Sequence, residues 1–260
     1  MEELLGLDGY IRYGGLHVVR ILAAMWLLPV FTAGPSSKVL RLGLGLVLGL
    51  TVAVARSETG FEDPGSDPLL LTILVMKELV FGLLMGWMAA MMFEAVKFAG
   101  SIISIEMGMH MANQIDPNTN TQLPVIGFLF QNLAIVLFFM SGGHGIILSA
   151  FMKSFDHYPP GTLPDTAVLM PSLLSFASIV ITAGLRIAAP VFLLLVIVTV
   201  CVGFLAKMAP TLHILEASFP IRIMVALVLM VMFLPAMMAG FDETMHSVGD
   251  GLMALVEGGR

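Results

Sequence analysis

The most informative residues of this sequence are two adjacent charges inside an apolar run. Lys77 and Glu78 lie in the middle of the apolar run 69–93. A charged side chain at the centre of a bilayer costs about 2.5–3.5 kcal/mol on insertion scales. Adjacent residues point in different directions from a helix, and the residues one turn away from this pair carry no charge. Both groups therefore need partners on other segments or on other subunits.

Further polar pairs occur at helical spacing. Glu94 and Lys97 are three residues apart, and Glu106 and His110 are four apart, so each pair shares a helix face. A buried polar stripe of this kind either docks another helix or relays protons. Because the six histidines are scattered without order, docking is the favoured interpretation. The same choice, pairing with a partner or lining a pore, applies to three arginines in apolar runs, Arg20, Arg186 and Arg222.

The segment 108–122 turns polar between two apolar runs. Its Asp116-Pro117 step predicts a helix end, since the residue before proline avoids helical geometry. Met107, Met109 and Met111 crowd its beginning, where flexible methionines either fill a core or seal around something that passes. The segment is either a plain external connection or a loop folded into a pore, where irregular backbone survives beside protein or water.

The composition is that of a membrane protein. Of 260 residues, 58% are hydrophobic and 12% are charged, and the mean hydropathy is +0.98. Soluble domains carry about 25% charged residues, so a soluble fold with a large core is excluded. The net charge of −6 leaves no basic patch for nucleic acid.

The apolar runs predict an all-α integral membrane protein with broken or kinked helices. About 20 residues span a bilayer as a helix, and we expect roughly six crossings with half-helices as the remainder. Gly184, Arg186 and Pro190 predict a break or a kink within 167–206. The tail 242–260 could form a short amphipathic helix. The apolar runs are 16–33, 39–55, 69–93, 98–111, 123–152, 167–185, 188–206 and 219–241.

Small residues recur at a spacing of four, which lets helix backbones approach closely in lipid. The rows are Gly45 with Gly49, Gly82 with Gly86, and Gly100 with Ser104 and Gly108. We expect these faces to be helix contacts.

The sequence lacks the common catalytic signatures. It contains no GxxxxGK phosphate loop, HExxH metal pair, GxSxG nucleophile elbow or CxxC pair. We therefore expect no enzyme activity, and we assign no catalytic residue, cofactor-binding residue or metal ligand.

Several short motifs, in order along nearly the whole chain, resemble the FliR family of type III export-gate subunits. They are Arg20 with Pro29, Ala99-Gly100, Met107-Gly108, Asp116-Pro117, Gly142-Gly143-His144, Ser154-Phe155 with Pro159, Lys207 to His213, and Phe219-Pro220. Each is weak alone, but their order and spacing are fairly specific. Thr211, His213 and Ser218 depart from the family's pattern, which weakens any contact assigned to that loop.

The resemblance implies a single membrane domain over 1–260 with internal parts. A FliP-like part would occupy 1–176 and carry a plug loop at 106–122. A FliQ-like helical hairpin would occupy 177–241 and turn at 207–218, followed by the tail 242–260.

The resemblance also implies a function. The chain would form, with FliP and FliQ and with FlhB at the entrance, the inner-membrane channel of the flagellar basal body that passes unfolded flagellar proteins. The implied plug residues are Glu106, Met107, Gly108, Met109, His110, Met111, Asn113, Gln114, Asp116, Pro117 and Asn118. The charges expected at subunit contacts are Arg20, Lys77, Glu78, Glu94, Lys97, Lys207, Glu216 and Arg222.

Two alternatives remain open from the sequence. The chain could serve the export gate of an injectisome. It could instead be a small-molecule or ion transporter, with Lys77, Glu78, Glu94 and Lys97 lining the path. Inverted internal repeats would favour a transporter, and we find none.

Overall fold

The structure, a computed structural model, describes residues 2–31, 37–60, 67–109, 125–208 and 214–257. Over these ranges the chain forms helices and turns without a strand, which confirms the all-α prediction. The helices are α1 (Glu2–Leu27), a short 3₁₀ helix (Pro29–Phe31), α2 (Ser37–Gly60), α3 (Pro68–Glu106), α4 (Val125–Met140), α5 (Gly143–His157), α6 (Thr166–Met208) and α7 (Ile214–Glu257).

Four helices, α2, α3, α6 and α7, are long and apolar enough to cross a membrane. The broken pair α4 and α5 gives a fifth span if the two are counted together. In the part of the chain that the structure describes, four or five spans thus replace the roughly six expected from run lengths. The chain is an all-α integral membrane protein.

Three predicted boundaries are wrong because polar or small residues do not interrupt these helices. The run 69–93 and the beginning of the run 98–111, as far as Glu106, belong to the single helix α3. α6 is helical through Gly184 and Pro190, so of the break or kink predicted there the break is absent. Gly184 instead packs on α3, where a Cβ atom would lie 2.6 Å from Phe98 Cδ1. Residues 242–257 continue α7 and form no separate helix.

The interruption of the run 123–152 falls at Ser141 and Gly142, between α4 and α5. Gly142 has φ +73°, a left-handed conformation that glycine adopts without a Cβ penalty. Ser141 N donates to Leu137 O at 2.8 Å, and Gly145 N donates to Gly142 O at 2.9 Å. These bonds close the end of α4 and begin α5.

The chain divides into two compact units that are interleaved along the sequence. The first unit contains residues 1–91, 142–176 and 248–260, and the second contains 92–141 and 177–247.

In the first unit, glycines bring α1 against α2 and α3. A Cβ atom on Gly49 of α2 would lie 2.6 Å from Val18 Cα, and one on Gly82 of α3 would lie 2.2 Å from Arg20 O. One turn later, a Cβ on Gly86 would lie 2.3 Å from Ala24 O. These distances are below contact, so the backbones touch at the bare Cα atoms. The predicted packing role of these rows is confirmed.

In the second unit, α3 packs on α4 at Gly100, the first residue of the third small-residue row. A Cβ atom on Gly100 would lie 2.9 Å from Gly127 Cα, and Ser104 is buried. Phe93 and Phe138 meet edge to face with ring centroids 5.3 Å apart. α6 packs on α7 where Gly240 faces Ile187.

Candidate functional site

The first unit contains a fully buried ion pair between α1 and α3. Arg20 Nε donates to Glu78 Oε2 at 2.6 Å, and Arg20 Nη2 donates to Glu78 Oε1 at 2.9 Å. Both side chains have 0% exposure. Two parallel bonds between a guanidinium and a carboxylate form the strongest geometry available to such a pair. Glu78 therefore finds its partner on another segment of the same chain.

The remaining polar atoms of the pair bind α5 and the turn that follows it. Arg20 Nη1 donates to Tyr158 O at 3.0 Å, to Ser154 O at 3.3 Å and to Ser154 Oγ at 3.4 Å. Glu78 Oε1 also accepts a bond from Gly161 N at 2.6 Å. A buried charge costs little only when its bonds are satisfied, and here the pair joins α1, α3, α5 and the turn at 158–161.

Aromatic rings enclose the guanidinium. Arg20 Cζ lies 4.2 Å from the ring centroid of Phe155 and 4.7 Å from that of Phe81, both within cation–π range. Tyr158 packs edge-on against Phe81, and His17 stacks on Phe155 at 4.6 Å. Burial raises the pKa of the Tyr158 hydroxyl, which donates to Leu255 O at 3.5 Å. The surroundings exclude water from the ion pair and suit a structural clamp.

Sequence reasoning placed Arg20 and Glu78 among charges needing partners but did not join them. The available signal was that Arg20 is the single cation of one apolar run and Glu78 the single anion of another. Gly82, one turn after Glu78, allows α1 to approach and complete the pair.

Lys77, beside Glu78, lies half-buried on α3. Among the residues that the structure describes, no side chain bonds to its ammonium.

In the described part of the second unit, two ion pairs join a lysine or an arginine to a glutamate. Lys97 Nζ lies 3.3 Å from both carboxylate oxygens of Glu94, which confirms the predicted pairing along α3. These side chains are 36% and 42% exposed, so the pair is open at one side. Arg186 of α6 binds Glu243 of α7, which favours the pairing role for this arginine.

The remaining predicted contact residues are spread over α6 and α7. Lys207 is exposed near the end of α6, and Arg222 is half-buried in α7. Glu216 belongs to α7, but its side chain lies outside the described residues. Among the side chains that the structure describes, Glu94 pairs with Lys97 and Arg20 pairs with Glu78, whereas Lys77, Lys207 and Arg222 form no ion pair with another predicted charge.

Only the beginning of the predicted plug is described. α3 ends at Glu106, because Gly108 takes a left-handed conformation with φ +78°. The helix end predicted at Asp116-Pro117 lies outside the described residues. Met107 is 1% exposed, and Met109 is half-buried. Outside the described residues lie His110, Met111, Asn113, Gln114, Asp116, Pro117 and Asn118.

Within the described ranges, no group of three or more histidine, cysteine, aspartate or glutamate side chains is placed to hold a metal ion.

Comparison with known proteins identifies the family. Residues 13–248 match the family described as bacterial export proteins, family 1. The chain is 30% identical over 237 residues to flagellar biosynthetic protein FliR of Escherichia coli (strain K12), covering 91% of this chain and 89% of that one. It is 27% identical over 244 residues to Yop proteins translocation protein T of Yersinia pestis, covering 93% of each. It is also 25% identical over 154 residues to surface presentation of antigens protein SpaR of Shigella flexneri, covering 59% of each. Because the family match extends over most of its length, this chain belongs to the bacterial export proteins, family 1.

Proposed function

We propose that this chain is a subunit of the flagellar type III export gate. With FliP-like and FliQ-like subunits it forms the inner-membrane channel of the basal body, with an FlhB-like chain at the entrance, and unfolded flagellar proteins pass through it. The observation that carries the proposal is the match to flagellar biosynthetic protein FliR over nine-tenths of the chain. The membrane-length helices support it, and the family is one of export components. The transporter alternative has no comparable support.

The internal division predicted from the resemblance is retained as part of the proposal. α6 and α7 flank the predicted hairpin turn at 207–218, since α6 ends at Met208 and α7 begins at Ile214. The hairpin residues 177–241 also fall within one compact unit. We assign 1–176 to the FliP-like part and 177–241 to the FliQ-like hairpin.

The subunit contacts are assigned to charges that the chain leaves partly open. A charge within a membrane span usually faces a protein partner or a water-filled cavity. Arg20 and Glu78 are excluded from this role because both side chains are fully buried and form an ion pair with each other. The remaining contact residues are Lys77, Glu94, Lys97, Lys207 and Arg222, together with Glu216, whose side chain lies outside the described residues.

The plug is assigned to 106–122, as the resemblance implies. The left-handed turn at Gly108 supports it, because the backbone departs from the geometry of α3 at that residue. Met107 anchors the beginning of the segment by its burial. At rest the segment closes the channel to ions, and a passing substrate displaces it.

Deletion of Asn113 to Asn120 is expected to make the membrane leaky, because the shortened segment no longer fills the channel. Ion conductance of cells carrying the variant in the assembled complex measures the effect. Co-isolation of the FliP-like and FliQ-like subunits controls for assembly. Unchanged conductance with normal assembly would contradict the plug assignment.

The injectisome gate is the second candidate, favoured by the 27% identity to Yop proteins translocation protein T. The co-isolated subunits and the exported proteins distinguish the two. Flagellar substrates in the culture medium support the first candidate, and virulence effectors support the second.

A further inference from the structure

A buried histidine lies beside the Arg20–Glu78 pair in the first unit. His17 of α1 has 0% exposure and stacks on Phe155 of α5, with the ring centroids 4.6 Å apart. Its Nδ1 donates to Tyr13 O at 2.9 Å. Because a carbonyl oxygen only accepts, Nδ1 carries a proton and Nε2 is the basic nitrogen. In the part of the chain that the structure describes, Nε2 is buried without a hydrogen-bond partner.

The Phe155 ring already borders two permanent cations. Arg20 Cζ lies 4.2 Å from the ring centroid, and Arg56 Cζ lies 5.8 Å from it. Each guanidinium has its own carboxylate, since Arg20 pairs with Glu78 and Arg56 Nη2 lies 2.5 Å from Asp156 Oδ1. Two positive charges at this ring are thus matched by two negative ones. A third cation at the ring would have to share a carboxylate that is already paired.

The surroundings of His17 favour its neutral form. Burial lowers the pKa of the imidazole below its usual value of about 6.5. The charges of Arg20 and Arg56 also lower the pKa, whereas the bond to Tyr13 O and the charge of Glu78 raise it without reversing the direction. Helix α1 is not among the membrane-length helices of the described chain. The charged and titratable groups packed around His17 are Tyr13 and Arg20 of α1, Arg56 of α2, Glu78 of α3, Asp156 of α5 and Tyr158 after it.

We propose that His17 is an acid-sensitive contact between α1 and α5. As a neutral imidazole it stacks on Phe155 and needs no counter-charge. A proton on Nε2 adds a third cation beside one ring in a buried site, which weakens the packing of α1 on α5. Acid therefore loosens the first unit through a single side chain. The inference goes beyond the proposed function, because it does not depend on what the chain exports.

The pH dependence has a definite sign. In the unfolded chain this histidine takes up a proton below about pH 6.5, whereas the folded chain keeps it neutral to lower pH. Stability is therefore unaffected above that pH and falls as the pH drops through it. The unfolding equilibrium rises about tenfold for each further pH unit until the folded chain takes up the proton as well. Carboxylates usually titrate near pH 4, so this loss begins well before theirs.

The test is the melting temperature of the detergent-extracted full chain, with the subunits that co-isolate with it, at pH 7.5 and at pH 5.5. For the wild type we expect a melting temperature a few degrees lower at pH 5.5, which corresponds to a rise of about tenfold in the unfolding equilibrium. His17→Phe keeps an aromatic ring on Phe155 but takes up no proton, so the difference between the two pH values should largely disappear. His157→Phe is the matched control, because His157 is an exposed histidine of α5 in the same unit. An exposed histidine titrates alike in the folded and unfolded chain, so this variant should keep the wild-type difference.

The outcomes decide the inference without reference to export. A His17→Phe variant that loses as much stability between the two pH values as the wild type overturns it, and so does a wild type whose melting temperature does not change. If His17→Phe does not accumulate in the membrane, His17→Gln, which is also neutral at both pH values, is judged by the same comparison. A flat profile leaves the proposed function standing. Isolation without FliP-like and FliQ-like subunits would count against the proposed function and leave the pH profile as the test of this inference.

Discussion

Glu78→Gln is expected to destabilise the protein by about 3–5 kcal/mol, the usual cost of removing one partner of a buried ion pair. The substitution conserves shape but leaves the Arg20 guanidinium charged in a water-free site, against Phe81 and Phe155. The bond from Gly161 N to Glu78 Oε1 weakens too, since an amide oxygen accepts less strongly than a carboxylate.

The measurement is thermal denaturation of the detergent-extracted complex together with the amount of the chain in the membrane. Glu257→Gln is the matched control in the same unit. It makes the same chemical change in a pair with Lys153 whose side chains are about half exposed, and exposed pairs contribute about 0–1 kcal/mol. Similar melting temperatures for the two variants would show that the buried pair is no clamp.

A second variant separates the cost of a lone charge from the value of the pair. Arg20→Met with Glu78→Leu removes both charges and fills the site with apolar groups. Such replacements are often neutral or stabilising. We therefore expect the double variant to be more stable than Glu78→Gln. A double variant that is less stable than the single one would mean that the bonds to Ser154, Tyr158 and Gly161 stabilise the fold more than the charges cost.

The polar chemistry of this chain was partly visible in its sequence. The cost of a charge in an apolar run predicted that Lys77 and Glu78 need partners. It did not predict which residue pairs with Glu78. A pairing across α1 and α3 depends on how two helices cross, and one sequence contains no direct measure of that. Glu94 and Lys97 were predictable as a pair because local helix geometry fixes their distance.

Helix continuity was the weaker part of the prediction. Gly184 and Pro190 are poor helix formers, so they predicted a break, yet α6 passes through both. In a membrane span, the loss of a backbone bond is tolerated where neighbouring helices pack closely, and Gly184 supplies such packing against Phe98. α3 itself ends at Glu106, before a left-handed glycine at 108. The helix end predicted at Asp116-Pro117 lies outside the described residues and stays a prediction.

The small-residue rows were the sequence feature that best predicted where helices contact each other. Their spacing of four fixes a helix face without knowledge of the partner, and all three rows lie at helix contacts. The spacing does not reveal which atoms each glycine contacts. A Cβ atom built on Gly86 would lie 2.3, 2.6 and 2.8 Å from the backbone O, Cα and C atoms of Ala24.

Gly86→Ala is therefore expected to destabilise the first unit, although alanine is the better helix former. Overpacking a filled contact costs about 1–3 kcal/mol, more than the gain of up to about 1 kcal/mol in helix propensity. The cost should fall at the upper end, because the obstacle is backbone and no rotamer change can relieve it. Moving α1 away would also pull Arg20 from Glu78, since both lie on the same helix pair.

Gly43→Ala is the control that shows whether the loss of stability comes from the close contact and not from the substitution itself. Gly43 lies exposed on α2, where a Cβ atom meets nothing within 4 Å, so the same substitution should be neutral or stabilising. The melting temperature of the purified complex should therefore fall in Gly86→Ala and stay the same or rise in Gly43→Ala. Ala24→Gly added to Gly86→Ala should not restore stability, because it removes a methyl group while the obstructing O, Cα and C atoms remain. Full rescue by Ala24→Gly would mean that α1 and α3 contact through side chains, and that the close backbone crossing that positions Arg20 is not the contact that stabilises this unit.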